Sequence, residues 1–394
     1  MTRRGGSSCS RKQSSPVARR SAYAESGVDV DAGERAVALM RAAVESTRRP
    51  EVVGALGGFG GAVALPAGYR EPVLVSSTDG VGTKTALAVA LRRYETIGRD
   101  LVAMCADDVV CTGAAPLFFL DYIAVGRLDP TDVAQLVGGV AAGCVEARCA
   151  LVGGETAEHP GLMEPDAFDL AGCCVGVVER DQMIDGSAVR VGDAIVGLAS
   201  SGLHANGYSL VRTLLERWQL DLTRPYQEQL RLSLGDAATD PAIDAEPAHA
   251  LATLGEVLLT PTTIYTPIVL GLRDALLEAG TDIHAIAHVT GGGLPGNVPR
   301  MLPHELAARL DPSRWPVPSV VRLMAALGGL DDEESRATFN AGLGMVVAID
   351  RDAIPVALAA LEAAGTDAWV VGEVVDAGAV AGLRYVEGTL GTGR

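Results

Sequence analysis

The chain has 394 residues, of which 48% are hydrophobic and only 4% aromatic, and it carries a formal net charge of −17. That length suits two ordinary domains with proper cores, and the acidic balance argues against a general nucleic-acid binder. No stretch approaches the roughly 18 uninterrupted apolar residues of a membrane-crossing helix, so no membrane partner is expected. Residues 1–20 hold Arg3, Arg4, Arg11, Lys12, Arg19 and Arg20 with no acid, and residues 1–22 read as a solvated, disordered extension, with a transit-type segment as the alternative. Seven cysteines without a C-x-x-C pair fit small core residues of a reduced, cytoplasmic protein and speak against zinc.

From Glu34 to Glu45 the apolar spacing predicts a helix. The Gly-rich segment from Thr47 to Ala62 reads as non-helical. Glu71–Val75 reads as a buried strand, and it runs into S-S-T-D-G-V-G-T-K-T-A-L, Ser76 to Leu87. An acid, two glycines and a lysine between a strand and a helix start are the chemistry of a nucleotide phosphate site. Glycines let backbone approach phosphate, and a helix N-terminus offers unpaired N–H groups. Lys84 is one of only two lysines among 32 basic residues. The spacing is not that of a G-x-x-x-x-G-K-[ST] loop.

A helix through Leu101, Met104, Cys105 and Val109 presents the adjacent acids Asp107 and Asp108, which repel each other unless a cation or solvent lies opposite. Pro116–Val125 reads as a strand, Pro130–Glu146 as a helix, and Ala150–Val152 as a strand that ends in the loop G-G-E-T-A-E-H-P-G, Gly153 to Gly161. Asp79, Asp107, Asp108 and Glu155 are thereby expected to converge at one sheet edge as oxygen ligands for Mg2+. Asp169–Val178 closes the first domain, with a boundary near 184.

The strand Ala194–Ala199 empties into S-S-G-L-H-A-N-G-Y-S-L, where His204 sits in a Gly/Ser/Asn loop rather than on an apolar face. Residues 217–255, with three prolines, read as an irregular surface insertion. A helix then reaches about Glu278. His284–Asn297 holds a second Gly-rich loop, Gly291–Gly293, whose backbone N–H groups can cradle a phosphate. A strand through Val347, a helix over 353–364 and a strand over 369–375 complete the chain, and residues 387–394 read as a tail. The expected organisation is 1–22, 23–184, 185–386 and 387–394.

Taken together, S-T-D-G-V-G-T-K, L-V-A-M-C-x-D-D, P-L-F-F-L-D-Y, L-V-G-G-E-T-A-E-x-P-G, S-S-G-L-H-A-N-G-Y-S-L-V-R, H-V-T-G-G-G-L-P-G-N and T-F-N-A-G-L-G-M resemble the phosphoribosylformylglycinamidine cyclo-ligases, the aminoimidazole ribonucleotide synthetases. The matches run in order from about Gly27 to Val375. The resemblance implies an α/β (α+β) two-domain fold, each domain a mixed sheet backed by helices. It also implies a homodimer in which the N-terminal sheets pair into a shared barrel. The implied reaction is ATP-dependent ring closure of formylglycinamidine ribonucleotide, through phosphorylation of the formamide oxygen, giving aminoimidazole ribonucleotide, ADP and phosphate.

On that basis ATP is expected at Asp79, Gly80, Gly82, Thr83, Lys84, Asp107, Gly153 and Gly154, and Mg2+ at Asp79, Asp107, Asp108 and Glu155. Substrate falls to Ser201, Asn206 and Gly291, Gly292 and Gly293. His204, Asp108 and Lys84 are the catalytic candidates. The chain departs from the family pattern at Ala115, where an acid is common, and at Thr263, where an arginine is common. The alternatives are a related phosphotransferase of the same superfamily or an inactive nucleotide-binding paralogue.

Overall fold

The computed structural model describes residues 29–54 and 57–390, so the expected extension 1–22 and the end of the tail lie outside the described residues. Helix α1 (Val30–Ser46) begins where the Asp29 carboxylate accepts from the N–H of Ala32. A two-residue ladder, β1 (Val52–Val53) with β2 (Ala62–Val63), brackets the Gly-rich segment.

The first large sheet has four strands, β3 (Pro72–Gly80), β4 (Ala115–Val125), β5 (Ala150–Glu158) and β6 (Phe168–Glu179), in the order β3-β6-β4-β5. Only the β4–β5 pair is parallel. That pair needs a crossover, and α4 (Pro130–Glu146) supplies it. Asp129 caps this helix by accepting from Thr131 and Asp132, and Pro130 occupies its first turn. Helices α2 (Thr85–Leu91) and α3 (Ile97–Val110) join β3 to β4. Buried Phe119, Ile123, Leu170 and Cys174 alternate along β4 and β6 on the face that α3 covers. Each large apolar side chain so buried contributes about 1.5–3 kcal/mol.

The second sheet has six strands in the order β12-β9-β11-β7-β10-β8. They are β7 (Ala194–Ala199), β8 (Ile283–His288), β9 (Leu306–Leu310), β10 (Leu343–Ile349), β11 (Ala368–Asp376) and β12 (Tyr385–Glu387). Strands β8 and β10 are buried along their whole length, which matches the unbroken apolar run of β10, whereas β8 also buries His284 and His288. The helices of this half are α5 (Tyr208–Arg217), α6 (Tyr226–Leu234), α7 (Asp236–Ala245), α8 (Leu254–Leu258), α9 (Thr266–Glu278), α10 (Gly293–Asn297), α11 (Ser319–Gly328), α12 (Asp332–Thr338) and α13 (Ile354–Ala363).

Two expectations change. Strands β3 and β5 run on through the glycines and acids read as loops, so Asp79, Gly153, Gly154 and Glu155 are strand residues. Residues 217–255 are not irregular, because α6, α7 and α8 form there and Tyr226, Leu230 and Leu254 are fully buried. Apart from these, one apolar core draws on both halves of the chain, Leu101 and Phe119 sharing it with Val211, Tyr226, Leu254 and Val321. No helix among the described residues is long and apolar enough to cross a membrane.

Candidate active site

Asp79 stands at the end of β3, with its Oδ1 2.7 Å from the N–H of Gly80. Gly82, at φ +68°, turns the chain into a short 3₁₀ segment, Gly82–Lys84. Opposite lies the start of α5. Asp79, Gly80, Gly82, Thr83, Asp169, Asn206 and Ser209 line a cleft of about 450 Å³, and the Thr83 and Ser209 hydroxyl oxygens are 3.3 Å apart across it. Burial holds the Asp79 carboxyl above its usual range, and the nearby charge of Asp108 adds to the rise.

Asp108 is half-exposed. It is held by Ser77, whose Oγ is 3.3 Å from Oδ2, and by His288, whose Nδ1 is 3.0 Å from Oδ1. His288 ends β8 and so reaches Asp108 from the other sheet. It also precedes the glycine loop. A Cβ on Gly291 would lie 3.6 Å from Asn206 Oδ1, so the loop borders the same cleft. Gly292 and Gly293 take φ values of +90° and +58°. The Asn297 amide donates to the carbonyls of Gly291 and Gly293 and fixes the loop's path. His288 and Asn297 were visible in H-V-T-G-G-G-L-P-G-N, where the glycines alone were read as functional.

Four sequence candidates are used inside the protein instead. Lys84 is fully buried. Its Nζ lies 3.0 and 2.9 Å from the two carboxylate oxygens of Asp100, and it donates to the carbonyls of His204 (2.9 Å) and Thr260 (2.7 Å). An ammonium has three protons, and all three are engaged, so Lys84 does not reach a triphosphate in this arrangement. Burial lowers its pKa and Asp100 opposes that shift.

Asp107 is likewise buried. It accepts from the N–H of Tyr265 (3.0 Å) and from the N–H and Oγ1 of Thr266 (2.8 and 2.9 Å), which caps α9 from another element. Burial pushes its carboxyl up to about 6 against the pull of His288 and those bonds. Its oxygens are spoken for, and it is no free metal ligand.

His204 sits in the left-handed region at φ +62° and is buried. Its Nε2 accepts from the N–H of Ser201 at 3.1 Å, which leaves the proton on Nδ1, and Nδ1 has no partner among the described residues. Burial, then His288 and Lys84, hold its pKa well below the ordinary imidazole value, which favours the neutral ring. Ser201 Oγ donates to the Pro261 carbonyl at 2.7 Å and locks that turn.

Gly153, Gly154 and Glu155 are on β5, at the opposite edge from β3. Asp79, Gly172, Asp121 and Gly154 form one cross-strand row, so β5 lies three steps from Asp79, about 14 Å at about 4.8 Å per step. Glu155 therefore does not join Asp79 and Asp108 within one chain, and no group of three metal-competent side chains exists among the described residues. Gly153, Gly154 and Glu155 instead border a second cavity of about 780 Å³ between α1, Gly57–Gly61 and β5. Asp121 also lines it, with its carboxyl pushed up to about 7 by burial.

Two mixed sheets joined at an acid-bearing cleft define a protein of the AIR synthase related class. The model of its N-terminal domain matches residues 62–178 and that of its C-terminal domain residues 190–383. The chain belongs to the phosphoribosylformylglycinamidine cyclo-ligase family. It is 51% identical to the cyclo-ligase of Gloeobacter violaceus over 92% of this chain and 99% of that one. It is 47% identical to that of Nitrosococcus oceani over 90% and 91%. Among solved structures, the fold is shared with thiamine-monophosphate kinase from Stenotrophomonas maltophilia (TM-score 0.58, 19% identity, 90% and 95% covered). It is shared too with the hydrogenase maturation protein HypE in complex with ATP (TM-score 0.56, 20% identity, 90% of each).

Proposed function

We propose that this protein is an ATP-dependent cyclo-ligase that closes formylglycinamidine ribonucleotide to aminoimidazole ribonucleotide, releasing ADP and phosphate. The observation that carries the reading is the meeting of Asp79 and Asp108 with Asn206 and Gly291 across the seam between the sheets. An amide oxygen leaves poorly until phosphorylated, so the protein has to hold the formamide in line with the γ-phosphate and keep water out. Asn206 and the loop Gly291–Gly293 hold the ribonucleotide, the glycines by their N–H groups. Gly80, Gly82 and Thr83 face the triphosphate. Asp108, steadied by His288 and Ser77, keeps its half-exposed carboxylate near Asp79.

A carboxylate whose ionisation is made costlier by burial and by a second acid nearby suits a hard divalent cation, and Asp79 with Asp108 is the pair that fits Mg2+. When bound, the ion neutralises phosphate charge. The fold unit 23–184 is read as the nucleotide half and 185–386 as the substrate half. We further propose a homodimer through the open face of the four-stranded sheet, opposite α3, where Leu74 (58%), Leu120 (36%) and Tyr122 (40%) are exposed together.

The test is turnover. Purified protein with magnesium-ATP and formylglycinamidine ribonucleotide should yield aminoimidazole ribonucleotide, followed by diazo coupling, and ADP in equal amounts. Both should vanish in Asp79→Ala. Tight ATP binding without product would end the cyclo-ligase reading.

A further inference from the structure

The last turn of the seven-residue helix α12 abuts both elements proposed to hold the ribonucleotide. The Arg336 carbonyl faces Gly293, where a Cβ would come within 1.8 Å of its oxygen. Just past the helix the Phe339 ring backs Gly207, where a Cβ would lie 2.7 Å from Cδ1, and Gly207 follows Asn206. One short stretch of chain, residues 336–339, supports the glycine loop and the turn that carries Asn206. Buried Phe339 pins its far end, but α12 itself has no buried residue, so apolar packing does not fix its rotation about that pin. The Asp331 cap, which accepts from the N–H of Glu334, lies within the same segment. Among the described residues, one side-chain hydrogen bond leaves α12 for another element, from Arg336 Nε to Glu387 Oε1 at 2.6 Å.

Glu387 is itself held. The Tyr385 hydroxyl donates to the same Oε1 at 2.7 Å, and its ring packs against the core of the six-stranded sheet. Strand β12 pairs in parallel with β9, with Glu387 opposite Leu310. Beyond it the N–H of Gly388 donates to the Leu310 carbonyl at 2.9 Å, and that of Leu390 to Asp311 Oδ2 at 3.1 Å. The end of the chain is therefore a fixed post. The Arg336 and Glu387 side chains are only 17% and 25% exposed, so water screens their charge-assisted bond in part. We propose that Glu387 is a positioning residue for the ribonucleotide: through Arg336 it fixes the turn of α12 on which Gly293 and the Asn206 turn rest, and it touches no substrate itself. The assignment rests on the ribonucleotide reading above.

The test is steady-state kinetics paired with amide hydrogen exchange. Glu387→Ala should raise the KM for formylglycinamidine ribonucleotide about tenfold, with kcat and the KM for ATP within about twofold of the parent. Glu387→Gln keeps an acceptor for Arg336 and should recover most of that loss. Arg336→Ala should give the same split, and adding Glu387→Ala to it should do no further harm. In substrate-free Glu387→Ala the amides of residues 206–207 and 291–293 should exchange faster than in the parent, while those of β10 do not change. Tyr385→Phe releases Glu387 on one side and keeps the ring in the core. It should raise the same KM about threefold, and it carries the test if the alanine variants do not fold. A contact that only stabilises would lower the unfolding midpoint and leave the ratio of the two KM values unmoved. That result, or equal rises in both KM values, overturns the proposal. Faster loop exchange in a protein that makes no aminoimidazole ribonucleotide would remove the cyclo-ligase reading and leave the brace standing. Turnover with neither KM nor exchange altered in the variants would do the reverse.

Discussion

The Nζ of Lys84 donates to the main-chain carbonyl of His204 at 2.9 Å, so two residues that look like separate catalytic groups are the two ends of one buried hydrogen bond. Asp100 completes the arrangement by also accepting from the N–H and hydroxyl of Thr262. The knot ties the helix after β3 to two loops of the other half.

Removal of one partner from a buried ion pair leaves the other charge uncompensated, which costs about 3–5 kcal/mol. Lys84→Met is therefore expected to lose that order of stability in urea unfolding. Combined with Asp100→Asn the loss should be smaller than the sum of the single losses, because the stranded carboxylate is gone. A Lys84→Met protein of undiminished stability with a weakened affinity for ATP would place the lysine at the phosphate after all.

His204 makes stability depend on pH. Its folded-state pKa lies well below 6.5, so below that pH the unfolded chain takes a proton that the folded chain refuses. The stability is complete above the unfolded value and is lost as pH falls toward the folded one. The slope attributable to this residue approaches about 1.4 kcal/mol per pH unit. Asn tolerates a left-handed backbone and does not titrate. The difference in unfolding free energy between the parent and His204→Asn, followed from neutral to mildly acid pH, should show that slope, and parallel profiles would contradict it.

The elements were legible where a local pattern decides them. Pro130–Glu146 has its cap, its proline and its apolar stripe within one window, and the structure returns those bounds. The site was less legible because its geometry is settled between residues far apart in the chain. Asp107 and Asp108 are chemically alike, yet neighbours on a helix point about 100° apart. One meets Thr266 and becomes a cap, and the other meets His288 and Ser77 and stays half-exposed. Nothing local marks which is which. Lys84 likewise looked like a phosphate ligand because glycines surround it, whereas Asp100 and Thr260, which claim it, lie 16 and 176 positions away. The stretch 217–255 read as irregular because Pro241 interrupts the pattern, but that proline lies inside α7 and the fold tolerates it.

That division between neighbours gives a contrast. Asp107→Ala removes the cap of α9 and strands buried donors, so it should cost on the order of 2–3 kcal/mol in unfolding while the folded fraction still turns over. Asp108→Asn should unfold near the parent's midpoint yet lose roughly a hundredfold or more in kcat. Reversal of the two, measured by paired denaturation curves and ADP release, would reassign the site to Asp107.

The glycine loop makes the last contrast, between positions 291 and 293. A Cβ on Gly293 would meet the carbonyl oxygen of Arg336 at 1.8 Å, and its φ of +58° already disfavours a side chain. Backbone cannot swing aside as a side chain can, so Gly293→Ala should fold poorly or unfold several degrees early. Gly291 meets only Asn206 Oδ1, at an ordinary 3.6 Å, and its φ is not in the strained region. Gly291→Ala should therefore fold as the parent does. Its methyl would project beside Asn206, where the ribonucleotide is proposed to lie, and the expected result is a KM for that substrate raised about tenfold with the KM for ATP unchanged. Equal effects on both substrates would move the ribonucleotide away from this loop.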